Sequence, residues 1–437
     1  MPISVAIIGS GPSAFYTADA LLECGQDVRV DIIERLPAPF GLIRYGVAPD
    51  HQTTKNVSRA FDKTAREAPV SFFGHVEVGR DVSVSELKSM YDAVVVAMGA
   101  PHDRPLGIPG ENKAGVVGSA AFVGWYNAWP EFRDLNPGLN VKSVAVIGMG
   151  NVAIDVCRVL VKTRAEMAHT DIADYALDAI QAAPITDVYM FGRRGPVEAA
   201  FTNVELREMG KLDQAVPVVK AEHIPADSSA VADLSERDRR LKERNLATLR
   251  EFTLLKADSK PKRVHFEFYS RPVEILGGAK AEGVRLERTR VENGQAIGTG
   301  EFFDIPCGLV VAAIGYRSGR LAGVPFDEKR CLVPNTEGRV EQGVYVVGWA
   351  MRGPTGVIAS NRPDGQTVAK HIAADHAAGG KKPGRDALAR LLAERKVRVC
   401  TYDDWKAIDA VETAAATKPS PRQKFARIED MLKALGD

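Results

Sequence analysis

Two short apolar runs, each passing through a glycine turn into a helix, predict an α/β protein with two doubly wound, Rossmann-like units. The first runs from Ile3 to Ile8, then Gly9-Ser10-Gly11-Pro12-Ser13-Ala14, then a helix over Phe15 to Cys24. The second, about 140 residues further on, runs from Ser143 to Ile147, then Gly148-Met149-Gly150-Asn151-Val152-Ala153, then a helix over Ile154 to Arg164. One G-x-G-x-x-G/A turn is a weak sign; two copies in the same strand, turn and helix context are much more specific.

In the first unit Gly9 permits the tight turn, Gly11 lets the backbone approach a pyrophosphate, and the small Ala14 lets the helix pack on the strand. The N–H groups at the helix start face the phosphates. The next strand, Val28 to Ile33, ends in Glu34, twenty-five residues after Gly9 and placed to accept hydrogen bonds from a ribose. Pro37 to His51 is rich in Pro and Gly and reads as a long loop, too apolar to be disordered. A helix is expected over Asn56 to Ala68 and a strand pair over Val70 to Val78. Tyr91 to Ala100 is a continuous apolar run, the mark of a parallel strand buried on both faces. Pro101 to Pro109 reads as a hinge, and Phe122 to Trp129 as an aromatic-rich core helix.

The second unit differs where its second strand stops. Asp187 to Phe191 runs into Gly192-Arg193-Arg194-Gly195 instead of a carboxylate. A carboxylate there would bind a free 2′-OH, whereas arginine accommodates a 2′-phosphate through charge-assisted contacts, so the coenzyme expected is NADP(H), not NAD(H). Two dinucleotides in one chain are the layout of a flavoprotein that uses a nicotinamide coenzyme. Ala199 to Met209 leads into a helix, Ala226 to Val231 reads as a loop, and Leu234 to Phe252 as a charged, solvated helix. Val264 to Phe268, Pro272 to Leu276 and Gly283 to Thr289 read as antiparallel strands, and Leu309 to Gly315 as a buried strand after which the chain returns to the first domain. There the strand Val344 to Trp349 meets Arg352-Gly353-Pro354-Thr355-Gly356-Val357-Ile358-Ala359-Ser360 and a helix from about Pro363 to His376. Gly379 to Gly384 reads as a flexible basic linker, and the remainder as an appended helical segment ending in a helix near Lys424 to Leu435.

The totals exclude several classes. A net charge of +1 over 437 residues, with 45% apolar and 26% charged residues, is no basic nucleic-acid binder. No run of about 18 to 20 apolar residues could cross a membrane. The first strand starts at residue 3, which leaves no room for a targeting peptide, so the expected location is cytoplasmic. The five cysteines, Cys24, Cys157, Cys307, Cys331 and Cys400, form no C-x-x-C pair, which argues against a zinc ribbon, an internal iron–sulfur cluster or a dithiol centre. Cys24 and Cys157 are expected to be buried helical packing residues, no metal site is expected, and any further electron carrier must be another molecule.

These glycine turns, together with Gly41-Leu42-Ile43-Arg44-Tyr45-Gly46-Val47-Ala48-Pro49-Asp50-His51, Gly192-Arg193-Arg194-Gly195-Pro196, Glu205-Leu206-Arg207-Glu208 and Gly348-Trp349 with Arg352 to Ile358, make residues 1–375 resemble the adrenodoxin-reductase-type ferredoxin–NADP⁺ reductases. The resemblance implies a glutathione-reductase-like pairing: an FAD domain over 1–105 and 319–378 and an NADP domain over 106–318; the mostly helical extension over 379–437 lies outside it and is read from the residues alone. It implies FAD contacts at Ser13, Glu34, Leu42 and Val78, with Trp349 and Gly356, Val357 and Ile358 against the isoalloxazine. On the NADP side it implies Arg104, Met149, Gly150, Asn151, Val152, Arg193, Arg194 and Glu205, with Gly356 shared where nicotinamide meets flavin. His51 and Glu208 match the family's active-site pair, expected to handle flavin protons through a bridging water. The implied activity is hydride transfer between NADPH and FAD, then single-electron transfer to an acidic ferredoxin supplied in trans, steered by Arg207, Lys211, Arg239 and Arg240 to a monomeric enzyme. The rivals are the NADPH-oxidising flavoprotein subunit of a glutamate-synthase-like complex and a non-catalytic FAD-binding redox sensor.

Overall fold

The computed structural model describes residues 1–226, 231–232 and 234–436. The chain folds as two compact units: Met1–His102 with Asn127–Pro130 and Tyr316–Asp437, and Asp103–Tyr126 with Glu131–Gly315.

The first unit is built on a six-stranded sheet in the order Arg339–Glu341, Val344–Val346, Ala93–Val96, Ile3–Ile8, Val28–Glu34, Val70–Gly74. All neighbours are parallel except the edge strand Arg339–Glu341. Every residue of Ile3–Ile8 and Ala93–Val96 is buried, as helices on both faces of a parallel sheet require. The helices Pro12–Leu22 and Asn361–Asp375 cross closely, since a Cβ on Gly365 would stand 2.8 Å from the Thr17 nitrogen. The helix Val84–Met90 starts at a capping box between Ser83 and Glu86.

Three local expectations change here. The stretch Val70 to Val78 holds one strand, not two: Gly74 exchanges backbone hydrogen bonds with Cys400 (2.8 and 2.9 Å), and His75 then turns away at a φ of +59°. The first helix stops at Leu22, so Cys24 lies beyond it and is only partly buried. The Gly379 to Gly384 stretch is fastened rather than free, with the Gly380 N–H on the Met1 carbonyl, Lys381 N–H on Asp92 Oδ1 and Gly384 N–H on the Met90 carbonyl. The helix that follows, Arg385–Glu394, puts Leu388 and Leu392 into the core formed by Ile33, Val84 and Leu87, and Arg385 bonds the buried Asp31 at 2.7 Å.

The second unit has an all-parallel sheet in the order Val116–Gly118, Leu309–Ala312, Ser143–Ile147, Asp187–Phe191, Lys262–Glu267, Ala215–Val219. The stretch expected as antiparallel at Val264 to Phe268 is therefore a parallel strand. The long helix Glu236–Thr253 before it supplies the crossover that parallel pairing needs. The antiparallel sheet contains only Ser270–Leu276, Gly283–Glu292 and Gln295–Pro306. The aromatic helix, Ser119–Tyr126, buries Phe122, Trp125 and Tyr126. Cys157 is buried in the helix Asn151–Val161, and burial pushes its thiol well up, as befits a packing residue. The loop expected at Ala226 to Val231 falls largely outside the described residues. No helix among those described is long and apolar enough to cross a membrane.

Candidate functional site

In the first unit the site grows from the end of the strand Ile3–Ile8. Gly9 has a φ of +104°, and a Cβ on it would stand 2.7 Å from the Ala97 carbonyl oxygen, so only glycine fits. Gly11 precedes the helix Pro12–Leu22 with no side-chain cap, and no atom lies within 4 Å of where its Cβ would be. The helix dipole thus faces a place where a phosphate can lie against bare backbone, which fits the pyrophosphate of a dinucleotide. Ser13 and Ala14 are buried behind it.

Glu34 ends the neighbouring strand beside this turn. One carboxylate oxygen accepts from Ser10 N–H (3.1 Å) and Ser10 Oγ (2.6 Å), the other from Leu36 N–H (3.1 Å). Burial pushes its carboxyl above the ordinary glutamate range, against these donors, which favour the ionised form. Val76 N–H bonds the Glu34 carbonyl, and Val78 packs against the core that includes Ile8, Ile33 and Val76.

Two distant stretches close around the turn. Phe40 N–H donates to the Ser10 carbonyl at 3.0 Å, and a Cβ on Gly41 would stand 3.1 Å from Gly11 Cα. Leu42 opens the short helix Leu42–Tyr45 over Gly46, and the His51 carbonyl accepts from Thr54 and Lys55 at the head of Gln52–Lys55. From the far end of the chain, Gly348 turns at a φ of +67° with its missing Cβ 2.7 Å from Ser13 Cβ. Trp349 follows, its Nε1 donating to the Thr355 carbonyl at 3.1 Å. Arg352 ties this turn together, reaching the Thr355 carbonyl (2.5 Å), Asn361 Oδ1 (3.1 Å) and Asp364 (3.0 Å). Val357 and Ile358 are pinned in turn, Val357 N–H by Ser360 Oγ and the Ile358 carbonyl by Asn361 Nδ2, and a Cβ on Gly356 would stand 2.6 Å from Ser360 Oγ.

The second unit repeats the opening device. Gly148, at a φ of +146°, would place a Cβ 2.2 Å from the Ala313 carbonyl oxygen, and the Cβ place of Gly150 is open. Asn151 Oδ1 accepts from Thr202 N–H (2.8 Å), and the Met149 carbonyl from Ala200 N–H (2.8 Å). Met149 lies over Gly192, where a Cβ would stand 2.5 Å from its Cγ. Val152 is partly buried in the first turn of the helix. The following arginines are fixed through their carbonyls, Arg193 by Thr289 Oγ1 (2.7 Å) and Arg194 by Tyr269 N–H (3.1 Å), while the Arg193 side chain is exposed. Lys242 donates to the Ala199 carbonyl at 2.5 Å, and burial, with Arg194 nearby, lowers its pKa. Arg104 is exposed beside Gly315.

Glu205 and Glu208 lie on the helix Asn203–Glu208, both within reach of Arg158, whose side chain is fully buried. Its guanidinium contacts Asp155 (2.8 Å), Glu208 (3.2 Å) and Glu205 (3.5 Å). His51 belongs to the first unit and Glu208 to the second. Sequence reasoning missed Ser10, Asn361, Lys242 and Arg158; of these, only Arg158 carried a local signal, its three-residue spacing from Asp155 on one helix.

Residues 3–190 match the family model of pyridine nucleotide-disulphide oxidoreductases. The chain is 41% identical to the mitochondrial NADPH:adrenodoxin oxidoreductase of Salvelinus fontinalis, over 98% of this chain and 90% of that protein. It is 40% identical to the NADPH-ferredoxin reductase FprA of Mycobacterium leprae, over 98% of this chain and 97% of that one. The structure of Mycobacterium tuberculosis FprA in complex with NADPH superposes with a TM-score of 0.95 at 39% identity, covering 100% of both chains.

Proposed function

The chain belongs to the family of adrenodoxin reductases and NADPH–ferredoxin reductases, and from that membership we propose that it carries electrons from NADPH to a ferredoxin-type iron–sulfur protein supplied as a separate chain. It is an NADP-dependent flavin oxidoreductase; the finer reading is a ferredoxin–NADP⁺ reductase. Bound FAD supplies the exchange between the two-electron hydride of NADPH and single electrons. The protein supplies binding, orientation and proton handling.

Gly9, Gly11, Ser13 and Ala14 are assigned to the FAD pyrophosphate, Glu34 to its ribose, and Leu42, Val78, Trp349 and Gly356 to Ile358 to the rest of that cofactor. Met149 to Val152, Arg104 and Glu205 are assigned to NADP(H), with Arg193 and Arg194 on the 2′-phosphate. His51 and Glu208 are assigned to proton handling. The observation that carries the reading is the replacement, in a repeated glycine cradle, of Glu34 by the Arg193–Arg194 pair.

The test is reduction of cytochrome c through added ferredoxin by the FAD-loaded enzyme. NADPH should support it and NADH only poorly; equal use of the two, or protein that stays colourless after FAD is supplied, overturns the reading. In the same assay Glu208→Gln should change the pH profile of flavin reduction with FAD still bound, and an unchanged profile removes that role. Cytoplasmic residence and a monomeric state belong to the same proposal, checked by cell fractionation and size-exclusion of the holoenzyme.

A further inference from the structure

The segment after residue 400 contains a carboxylate with no access to solvent. Glu412, on the helix Tyr402–Ala414, is 0% exposed, and its partner Arg44 is 6% exposed. They form a two-point pair, Nη1 to Oε2 at 2.9 Å and Nη2 to Oε1 at 2.5 Å. The guanidinium carbon lies 5.1 Å from the Tyr45 ring centroid and 5.0 Å from that of Trp405. Glu412 also accepts from Phe425 N–H at 2.8 Å, and Lys424 Nζ reaches the Arg44 carbonyl at 3.3 Å. Trp405 meets Phe40 edge-on at 6.1 Å.

A buried ion pair contributes little net stability compared with apolar packing, but it fixes geometry, because a two-point guanidinium–carboxylate contact tolerates little displacement. What this one fixes is the loop that touches the glycine turn. Arg44 N–H bonds the Gly41 carbonyl at 3.1 Å, Gly41 presses on Gly11, and Phe40 bonds Ser10, whose hydroxyl holds Glu34. We propose that Glu412 is a positioning residue of the flavin site. Through Arg44 it seats the Phe40–Tyr45 loop against the Gly9–Gly11 turn, so that the C-terminal segment Tyr402–Phe425 serves as the outer support of FAD binding. The proposal rests on the reading that this turn holds FAD.

The test compares wild type with Glu412→Gln, which keeps the shape and removes the charge. Three quantities are measured: the FAD dissociation constant, the visible flavin spectrum, and the affinity for 2′,5′-ADP as a probe of the second unit. FAD binding should weaken roughly ten-fold or more, as expected when a preorganised loop loses its anchor, and the flavin spectrum should change while 2′,5′-ADP affinity stays the same. Unchanged FAD affinity and spectrum overturn the proposal, even if the melting temperature falls. Should Glu412→Gln give no soluble protein, Glu412→Asp decides: it keeps the charge but draws it back by one methylene, and it must weaken FAD binding in the same direction. A wild-type protein that takes up no FAD at all would instead sink the underlying assignment of the cradle.

Discussion

The two glycine cradles share a skeleton and differ in what surrounds it. Gly9 and Gly148 each turn under a strand-end carbonyl, Ala97 in one unit and Ala313 in the other, at 2.7 and 2.2 Å from the Cβ each lacks. Both lead to an open backbone position, Gly11 or Gly150, at the head of an eleven-residue helix. Beyond that the first cradle is enclosed by Gly41 against Gly11 and, from more than 300 residues further along the chain, Gly348 against Ser13, with Arg352 tying this last stretch to Asn361 and Asp364. The second is bordered by residues within about fifty positions, Gly192 under Met149 and Thr202 on Asn151, with Arg193 exposed. On the proposed assignment, the shared skeleton would take a phosphate, the end of the second strand would select the sugar, and the degree of enclosure would separate a retained cofactor from a coenzyme that must exchange.

The largest effects should come from filling the two shared positions. Gly9→Ala and Gly148→Ala each force a side chain into a left-handed backbone and onto a carbonyl, at a cost of about 3 kcal/mol or more. Gly9→Ala should yield protein depleted of FAD. Gly148→Ala should retain the yellow flavin but lose tight NADPH binding. Flavin content by absorbance and NADPH titration separate the two; a Gly148→Ala protein that loses FAD and keeps NADPH would break the comparison.

A smaller effect sharpens the sugar selection. Replacing both Arg193 and Arg194 by Ala removes charge-assisted hydrogen bonds worth about 3 kcal/mol together, or roughly a hundred-fold in KM for NADPH. KM for NADH should hardly move, and FAD content should stay at the wild-type level. Steady-state kinetics with the two coenzymes decide it, since equal losses for both would mean the arginines do not read the 2′-phosphate.

Much of this contrast was legible because it is written in contiguous residues. A glycine turn between an apolar run and a helix constrains its own backbone, so both cradles and the Arg193–Arg194 ending could be read locally. The enclosure could not be, because Gly348 meets Ser13, and Glu412 meets Arg44, across more than 300 residues with no periodic signal joining them. Strand direction was misread for the same reason. Lys262–Glu267 alternates like its antiparallel followers, and only its place between Asp187–Phe191 and Ala215–Val219 makes it parallel. The glycines at 379–384 suggested slack, but a Cβ on Gly380 would stand 2.1 Å from the Pro2 carbonyl oxygen, so there glycine permits close approach instead.

The smallest effect contrasts one aspartate from the strand that follows the glycine turn and its helix in each unit. Asp31 is buried, and burial raises its pKa despite Arg385 and Tyr91. Asp187 is bonded by Arg263 at 2.6 and 2.8 Å and by His265 at 2.9 Å, and these contacts hold its carboxyl far below the ordinary range. The signs are therefore opposite. Asp187 contributes stability that is present above the ordinary aspartate value of 3.8 and is lost as pH falls through its lowered value. Asp31 contributes most below 3.8, and that contribution is lost as pH rises through its raised value. Against wild type, Asp187→Asn should thus lose ground as pH rises toward 3.8 and hold level above it, whereas Asp31→Asn should gain ground as pH rises beyond 3.8. Shifts of about 2 °C in melting temperature are expected for a chain of this size. Melting curves of both variants and wild type taken across this range would show slopes of opposite sign in adjoining windows; parallel slopes would mean that the two strands do not hold their carboxylates in opposite electrostatic settings.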